Sequence, residues 1–220
     1  MIFNKKHTIV LLSLFIPLLL ASCAPLPKEE DNIQVPAGTI IFEDDFEAYG
    51  TWDEGWEETF GAGYDRLEQY RLYVRENTEV NPAVPNDPFN QNLQDTIVQA
   101  HIAAIQGFGW GGLFCRAQDP DNFYFGAFHN RGDYGIFLFQ NGELSPLVTG
   151  ADDIINTASG TNRVAFTCAG NTLALTINDQ AMAEVQDATF TSGVVGIAVQ
   201  SDFELGVDAI FDNFFVIDPN

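Results

Sequence analysis

From Thr39 onward the chain alternates in twos. Apolar residues take turns with polar or small ones over short runs, the pattern of strands that bury one face. Leu173, Leu175 and Ile177 alternate with Thr172, Ala174 and Thr176. Asn178-Asp179-Gln180 turns the chain and Ala181 to Gln186 returns, which is a hairpin signal. Val195, Ile197 and Val199 alternate with Val194, Gly196 and Ala198. Further strands are expected over Ile40 to Phe46, Gln69 to Arg75, Thr96 to Ile105, Gly112 to Ala117, Phe123 to Phe128, Tyr134 to Phe139, Glu143 to Val148, Arg163 to Cys168 and Val207 to Ile217. Turn residues punctuate them: Asp119-Pro120-Asp121-Asn122, Asn130-Arg131-Gly132-Asp133, Asn141-Gly142 and Gly170-Asn171. Asn77 to Asn92 is polar, holds Pro82, Pro85 and Pro88, and reads as a surface loop. Only Ala151 to Ile155 has the pattern of a helical turn. Many short strands at close spacing predict an all-β domain, an antiparallel sandwich or barrel, with no internal repeat and no second domain.

The first 38 residues follow a different rule. Lys5 and Lys6 precede an apolar stretch from Thr8 to Leu20, and Leu20-Ala21-Ser22-Cys23 follows. Charge, apolar run and small residues in that order make a signal peptide. As a helix, Thr8 to Leu20 would reach about 20 Å, short of the roughly 30 Å needed to span a bilayer core. Leu20-Ala21-Ser22-Cys23 resembles the lipobox of bacterial lipoproteins. That resemblance implies cleavage before Cys23 and a diacylglycerol on its sulfur, with palmitate as the expected acyl chain. The competing account is a plain secretory signal with an incidental thiol. Ala24 to Gly38 carries Pro25, Pro27, Pro36 and the charged Lys28-Glu29-Glu30-Asp31, with no hydrophobic period, and reads as a tether. The expected division is thus a signal over 1–22, an acylated tether over 23–38 and one folded domain over 39–220. The expected location is the bacterial cell envelope. Ala24 lacks the aspartate associated with inner-membrane retention in some bacteria, which leaves the outer membrane or cell surface open.

Charge narrows the partners. Without the leader the chain keeps seven basic and thirty-one acidic residues, a net charge of 7 − 31 = −24. Such a surface repels nucleic acid and anionic headgroups, so nucleic-acid binding is excluded. Nineteen Phe, six Tyr and three Trp exclude a disordered chain despite that charge. With Cys23 acylated, Cys115 and Cys168 remain, and an exported compartment permits a bond between them.

Several segments resemble a known family. They are Glu43-Asp44-Asp45-Phe46 with Trp52 and Trp56, Gly112-Leu113-Phe114-Cys115-Arg116, Asp119-Pro120-Asp121-Asn122-Phe123-Tyr124-Phe125, Gly160-Thr161-Asn162-Arg163, Cys168-Ala169-Gly170-Asn171 and Phe211-Asp212-Asn213-Phe214. Together they are similar to the concanavalin A-like (laminin G-like) jelly roll of bacterial surface proteins, close to 3-keto-disaccharide hydrolase domains. The resemblance implies a two-sheet antiparallel sandwich and a Cys115–Cys168 disulfide, since the flanks of both cysteines match. The alternation agrees: Cys168 shares a face with Val164 and Phe166, and Cys115 with Leu113. Two buried free thiols are the alternative. Sandwiches of this type often carry a structural calcium joining the first and last strands. Asp44, Asp45 and Asp212 are the matching acids, hard oxygen donors suited to Ca²⁺, with three solvated carboxylates as the alternative.

Catalytic motifs are sparse. The Glu-x-Asp-x-x-Glu strand of retaining glucanases starts at Glu43 and Asp45 but finds Ala48 at its third acid. His101 and His129 lack partners at zinc or triad spacing. Gly107, Gly109, Gly111 and Gly112 around Trp110 precede no helix and serve a bend. Arg131-Gly132-Asp133 is the integrin tripeptide, and a hairpin turn accounts for it. Carbohydrate binding needs exposed aromatic faces with a few fixed polar groups. Trp110, Arg116, Tyr124 and Tyr134, near one another on successive strands, are the candidates, with core packing as the competing account. The expected function is therefore a non-catalytic, lipid-anchored envelope protein that binds glycan or another surface ligand. A glycoside-cleaving enzyme comes second and a structural or adhesive module third.

Overall fold

The computed structural model describes residues 33–220 apart from 76–78, 158–159 and 203–205. The expected signal over 1–22, the acylation site Cys23 and the tether up to residue 32 lie outside the described residues. Residues Val35–Asn220 form one compact unit.

That unit is a two-sheet antiparallel sandwich, and its described residues contain no helix. Its strands are β1 (Thr39–Asp44), β2 (Gly55–Trp56), β3 (Phe60–Tyr64), β4 (Tyr70–Val74), β5 (Val80–Ala83), β6 (Thr96–Gly107), β7 (Gly109–Asp119), β8 (Asn122–His129), β9 (Asp133–Gln140), β10 (Glu143–Ala151), β11 (Thr161–Ala169), β12 (Thr172–Ile177), β13 (Gln180–Gln186), β14 (Val194–Ser201) and β15 (Val207–Asp218). One sheet runs β13-β12-β11-β6-β15-β4-β3-β2, with β1 added against β15. The other runs β10-β9-β8-β7-β14-β5. Strand β15 is central: β6 lines one side of it, while β4 and then β1 line the other.

The alternation sets the register because a slip of one residue would turn every apolar side chain outward. Leu173, Leu175 and Ile177 of β12, Val195, Ile197 and Val199 of β14, and Val164 and Phe166 of β11 all lie in the core between the sheets. Cys115 on β7 and Cys168 on β11 are bonded across that core, with Cα atoms 6.6 Å apart, so the disulfide staples one sheet to the other. An aromatic group fills the core beside β1 and β15. Trp52 packs edge-on against Phe214 at 5.0 Å and donates its indole N–H to Asp44.

Two expectations change. The segment read as a loop from Asn77 to Asn92 contains β5, which pairs with β14. Pro82 hid it, yet β5 lies at the sheet edge, where a missing N–H costs no ladder bond. Ala151 to Ile155 makes turns and no helix. Gly107 does serve the bend between β6 and β7: its φ of 85° is left-handed, and a Cβ there would meet Gly206 O at 2.2 Å. Arg131-Gly132-Asp133 is a hairpin turn, closed by Gly132 N–H donating to His129 O.

Candidate functional site

The six-stranded sheet has two faces. Inward, Leu113, Cys115, Tyr124, Phe128, Ile136, Ile197 and Val199 pack between the sheets. The residues that alternate with them point the other way and form a second apolar cluster: Phe114, Phe123, Phe125, Ala127, Phe137, Phe139 and Ala198. The rings pack on one another, Phe114 on Phe123 at 5.0 Å and Phe123 on Phe139 at 4.8 Å. All fifteen described strands belong to the two sheets, so no described strand makes a third layer over this outer face. Toward the β7–β8 turn it opens into an apolar groove of about 230 Å³ between Pro82, Val84, Phe114, Phe123 and Val194.

The opposite end of the outer face is polar. Trp110 on β7 is paired with His129 on β8 and with Gln200 on β14, so three side chains stand in one row across adjacent strands. Trp110 is half-buried, and its ring meets Phe137 at 4.9 Å and His129 at 5.2 Å. Its indole N–H donates to both carboxylate oxygens of Asp202, at 3.2 and 3.1 Å, which fixes the ring's orientation. Arg131 lies over the Phe108 ring at 4.5 Å and pairs with Asp133 at 3.4 Å.

Three buried side-chain atoms among the described residues have no hydrogen-bond partner: His129 Nε2, Asn130 Oδ1 and Gln200 Oε1. All belong to this end of the sheet. His129 is fully buried and Gln200 is 5% exposed. The Arg131 backbone N–H donates to His129 Nδ1 at 3.1 Å, which makes Nδ1 the acceptor and leaves the ring proton on Nε2. Asp202 Oδ2 is 3.3 Å from Nε2 but lies off the direction of a hydrogen bond. Burial, helped by the neighbouring Arg131 charge, lowers the His129 pKa from its usual value, so the ring is neutral at pH 7.

The four residues proposed from sequence are not brought together. Trp110 alone stands on the outer face. Tyr124 points inward, fully buried, where its hydroxyl donates to Asp187 and accepts from Phe190 N–H. Tyr134 packs against the inner core. Arg116 is 2% exposed, and its guanidinium donates to Gln94 O and Phe190 O and pairs with Asp95 at 3.5 Å. Strict alternation would have put Arg116 beside Phe114 on the outer face. A bulge intervenes: Arg116 has φ 54°, the β7–β8 register shifts after Cys115, and Ala117 takes the outward place. His129, Gln200 and Asp202 were not among the expected site residues. Their only signal in the sequence is parity with Trp110 once the strand register is known.

The first and last strands are paired, at the middle of the nine-stranded sheet, with Asp44 opposite Phe214. The three acids are nonetheless each engaged internally. Asp44 accepts from Phe46 N–H and Trp52 Nε1, Asp45 from Glu47 N–H, and Asp212 from Gln69 and Asn213 N–H. Burial raises the Asp212 pKa, with Asp45 adding to it against those two bonds. Among the described residues no three His, Cys, Asp or Glu side chains gather as a metal site. His101 serves β15, its Nδ1 lying 3.3 Å from Asn213 Nδ2.

With this geometry in hand, comparison with known proteins is informative about the fold. No family model matches the sequence, and no curated protein matches it significantly. Solved structures do match. The carbohydrate-binding module CBM66 from Bacillus subtilis superposes with TM-score 0.61 at 16% identity, covering 76% of this chain and 95% of its own. A protein of unknown function with a galectin-like fold from Bacillus subtilis gives 0.57 at 14%, over 82% and 96%. The β-glucanase of Bacillus licheniformis gives 0.58 at 12%, over 83% and 99%. The domain is a jelly-roll β-sandwich. At these identities the likeness concerns the fold, which carries binding modules and hydrolases alike.

Proposed function

We propose that this chain is a lipid-anchored envelope protein whose sandwich binds glycan, without catalysis, at the Trp110 end of the six-stranded sheet. The observation that carries the reading is the setting of Trp110. A half-exposed indole is locked by Asp202 beside buried polar groups that lack partners, at the edge of an aromatic sheet face. Sugars are held in this manner, with a C–H face on an aromatic ring and hydroxyls on a few fixed polar atoms. The carbohydrate-binding neighbour adds plausibility at the level of the fold. Trp110→Ala tests the site on a glycan array: signals seen with the wild type should vanish, and their persistence would remove the site.

The anchor rests on the lipobox-like Leu20-Ala21-Ser22-Cys23. Diacylglycerol on Cys23 would hold the domain on the outer membrane or the cell surface, since two chains hold where one is marginal. Cys23→Ser should move the protein from the membrane to the soluble fraction. Mass spectrometry that finds Met1 to Ser22 still attached to the mature chain would sink this part of the reading.

The second reading is a glycoside-cleaving enzyme, supported by the resemblance to 3-keto-disaccharide hydrolases and by the hydrolases among the structural neighbours. The observation that favours it is the nearness of His129 Nε2 to the Asp202 carboxylate. Release of reducing sugar from a bound glycan, lost in Asp202→Asn, would promote it above binding.

A further inference from the structure

We propose that the apolar groove at the β7–β8 turn is a docking site for a basic segment of another protein, which inserts one bulky apolar side chain between Phe114, Phe123 and Val194 and lays lysine or arginine over Asp119 and Asp121. The groove lies at the opposite end of the sheet from Trp110, and the proposal does not depend on the glycan reading.

The groove exists because two small residues keep bulk out of it. Strict alternation would place the long Arg116 on the outer face, but the bulge after Cys115 gives that place to Ala117, whose methyl leaves the space open. A Cβ at Gly196 would meet the Phe114 ring at 2.7 Å, so glycine there lets the ring settle against β14. Phe114 and Phe123 form the floor, and the half-buried Pro82, Val84 and Val194 form the walls. Small-molecule pockets run to about 300–1,000 Å³. At about 230 Å³ this groove takes a single side chain. Pro82 also limits how a partner can approach. β5 is the sheet edge, but a proline has no N–H to offer an added strand, which works against backbone pairing there and leaves entry by a side chain.

The rim selects the chemistry. Residues 80–85, 112–124 and 190–198 frame the groove, and their only charged members are Asp119, Asp121 and Arg116. Arg116 is 2% exposed and paired with Asp95, so the groove meets solvent with negative charge alone. Asp119 accepts both of its turn bonds, from Asp121 N–H and Asn122 Nδ2, at one oxygen, Oδ1. Neither exposed aspartate is ion-paired among the described residues. An anionic ligand would stand against both carboxylates. A sugar would strand its hydroxyls on a floor of phenylalanine. An acyl chain would fill the space but bring the rim no countercharge. A second copy of this chain brings the same acidic rim and the same strongly negative net charge, which opposes it. A basic segment with a bulky apolar residue satisfies floor and rim together: the buried anchor supplies affinity and the cations steer the approach.

The test is NMR titration of the exported full chain, labelled with nitrogen-15, in the presence of phosphatidylcholine nanodiscs, whose headgroups carry no net charge. The probes are nonapeptides with a central Phe or Ala between two lysines on each side, the Phe peptide with glutamates in place of lysines, and hexyltrimethylammonium, a cation with an apolar chain but no backbone. The lysine–Phe peptide should shift the amide signals of Val84, Ala117, Gln118 and Val194, with the Ala and glutamate peptides at least tenfold weaker. Val84→Arg, which lays a long cation across the groove, should weaken the lysine–Phe peptide at least tenfold. Asp119→Asn with Asp121→Asn should weaken it severalfold, the loss of two exposed charge pairs. Both variants should melt close to the wild type, since Val84 is half-buried and asparagine keeps an oxygen for the turn bonds. Equal binding of the Ala and Phe peptides, or shifts confined to other residues, would overturn the groove. Equal binding of the glutamate peptide would overturn the role of the rim. Hexyltrimethylammonium binding as tightly as the peptide would replace the protein segment by a cationic amphiphile. Self-association on sedimentation that Val84→Arg abolishes would give the groove to a second copy. No shift with the lysine–Phe peptide at millimolar concentration would remove the docking site, and none of these outcomes touches the glycan reading.

Discussion

Arg116 on β7 and His129 on β8 are both buried polar side chains, set toward opposite ends of the same sheet. They are held in opposite ways. Arg116 turns inward through a bulge and spends its guanidinium on two carbonyls and Asp95. His129 is held by one backbone N–H at Nδ1, and its Nε2 faces the Asp202 carboxylate at 3.3 Å without an aligned hydrogen bond. A buried cation is costly unless its donors are paired, so Arg116 is tied into the frame. The histidine is neutral, and so its looser hold costs the fold less. Composition cannot separate these cases. Arg beside Trp and Tyr looks like the better sugar site on paper, and the structure gives that arginine to the frame.

The comparison predicts large losses of stability at the Arg116 end and small ones at the His129 end. The largest belongs to the disulfide next to Arg116. Cys115→Ala with Cys168→Ala should cost about 4 kcal/mol in urea unfolding, as the chain-entropy model gives for a loop of 53 residues. Arg116→Ala should cost about 3 kcal/mol, since it strands Gln94 O, Phe190 O and the Asp95 carboxylate. An unchanged urea midpoint would break the contrast at once. Tyr124→Phe should cost about 1–2 kcal/mol, through the Asp187 carboxylate and Phe190 N–H left behind.

The smallest effect is at His129 and is read through pH. Its pKa in the fold lies below the ordinary value of 6.5, so above that pH both folded and unfolded chains hold it neutral. As pH falls below 6.5 the unfolded chain takes up the proton first. Folding stability therefore declines, until pH drops past the folded value and both states carry the charge. Thermal melts of wild type and His129→Phe from pH 7.5 to 5 should show a shallow acid loss in the first that is missing in the second. Parallel curves would place His129 with Arg116 as frame.

Much of this architecture was legible where a strand buries one face only. β12 and β14 alternate cleanly, and their inward residues were readable one by one. β8 was legible as a strand but not as to direction, because Phe123, Tyr124, Phe125, Ala127 and Phe128 are apolar on both faces. Sequence could not say that Tyr124 points in and Phe125 out. β5 was masked by Pro82, whose exclusion from strands is relaxed at an edge. The disulfide was implied by the resemblance of both cysteines' flanks to the family pattern, and the alternation up to each cysteine agreed with it by placing both inward. Arg116 was misplaced because a bulge shifts the phase of alternation by one, and nothing in Cys115-Arg116-Ala117 announces a left-handed residue. Of the site, Trp110 could be found from type alone. His129 and Gln200 could not, since a lone histidine and glutamine become informative only when their burial and missing partners are known.

The place of β15 carries a consequence for timing. The last strand made is the one that joins β6 to β4 and β1, at the middle of the nine-stranded sheet. The two flanks of that sheet precede it in the chain, and residues 207–218 must arrive before they can be joined. Contacts so far apart along the chain form slowly. The domain is thus kept from its final shape until residues 207–218 have been made, and any passage that demands an unfolded thread stays open to it until then.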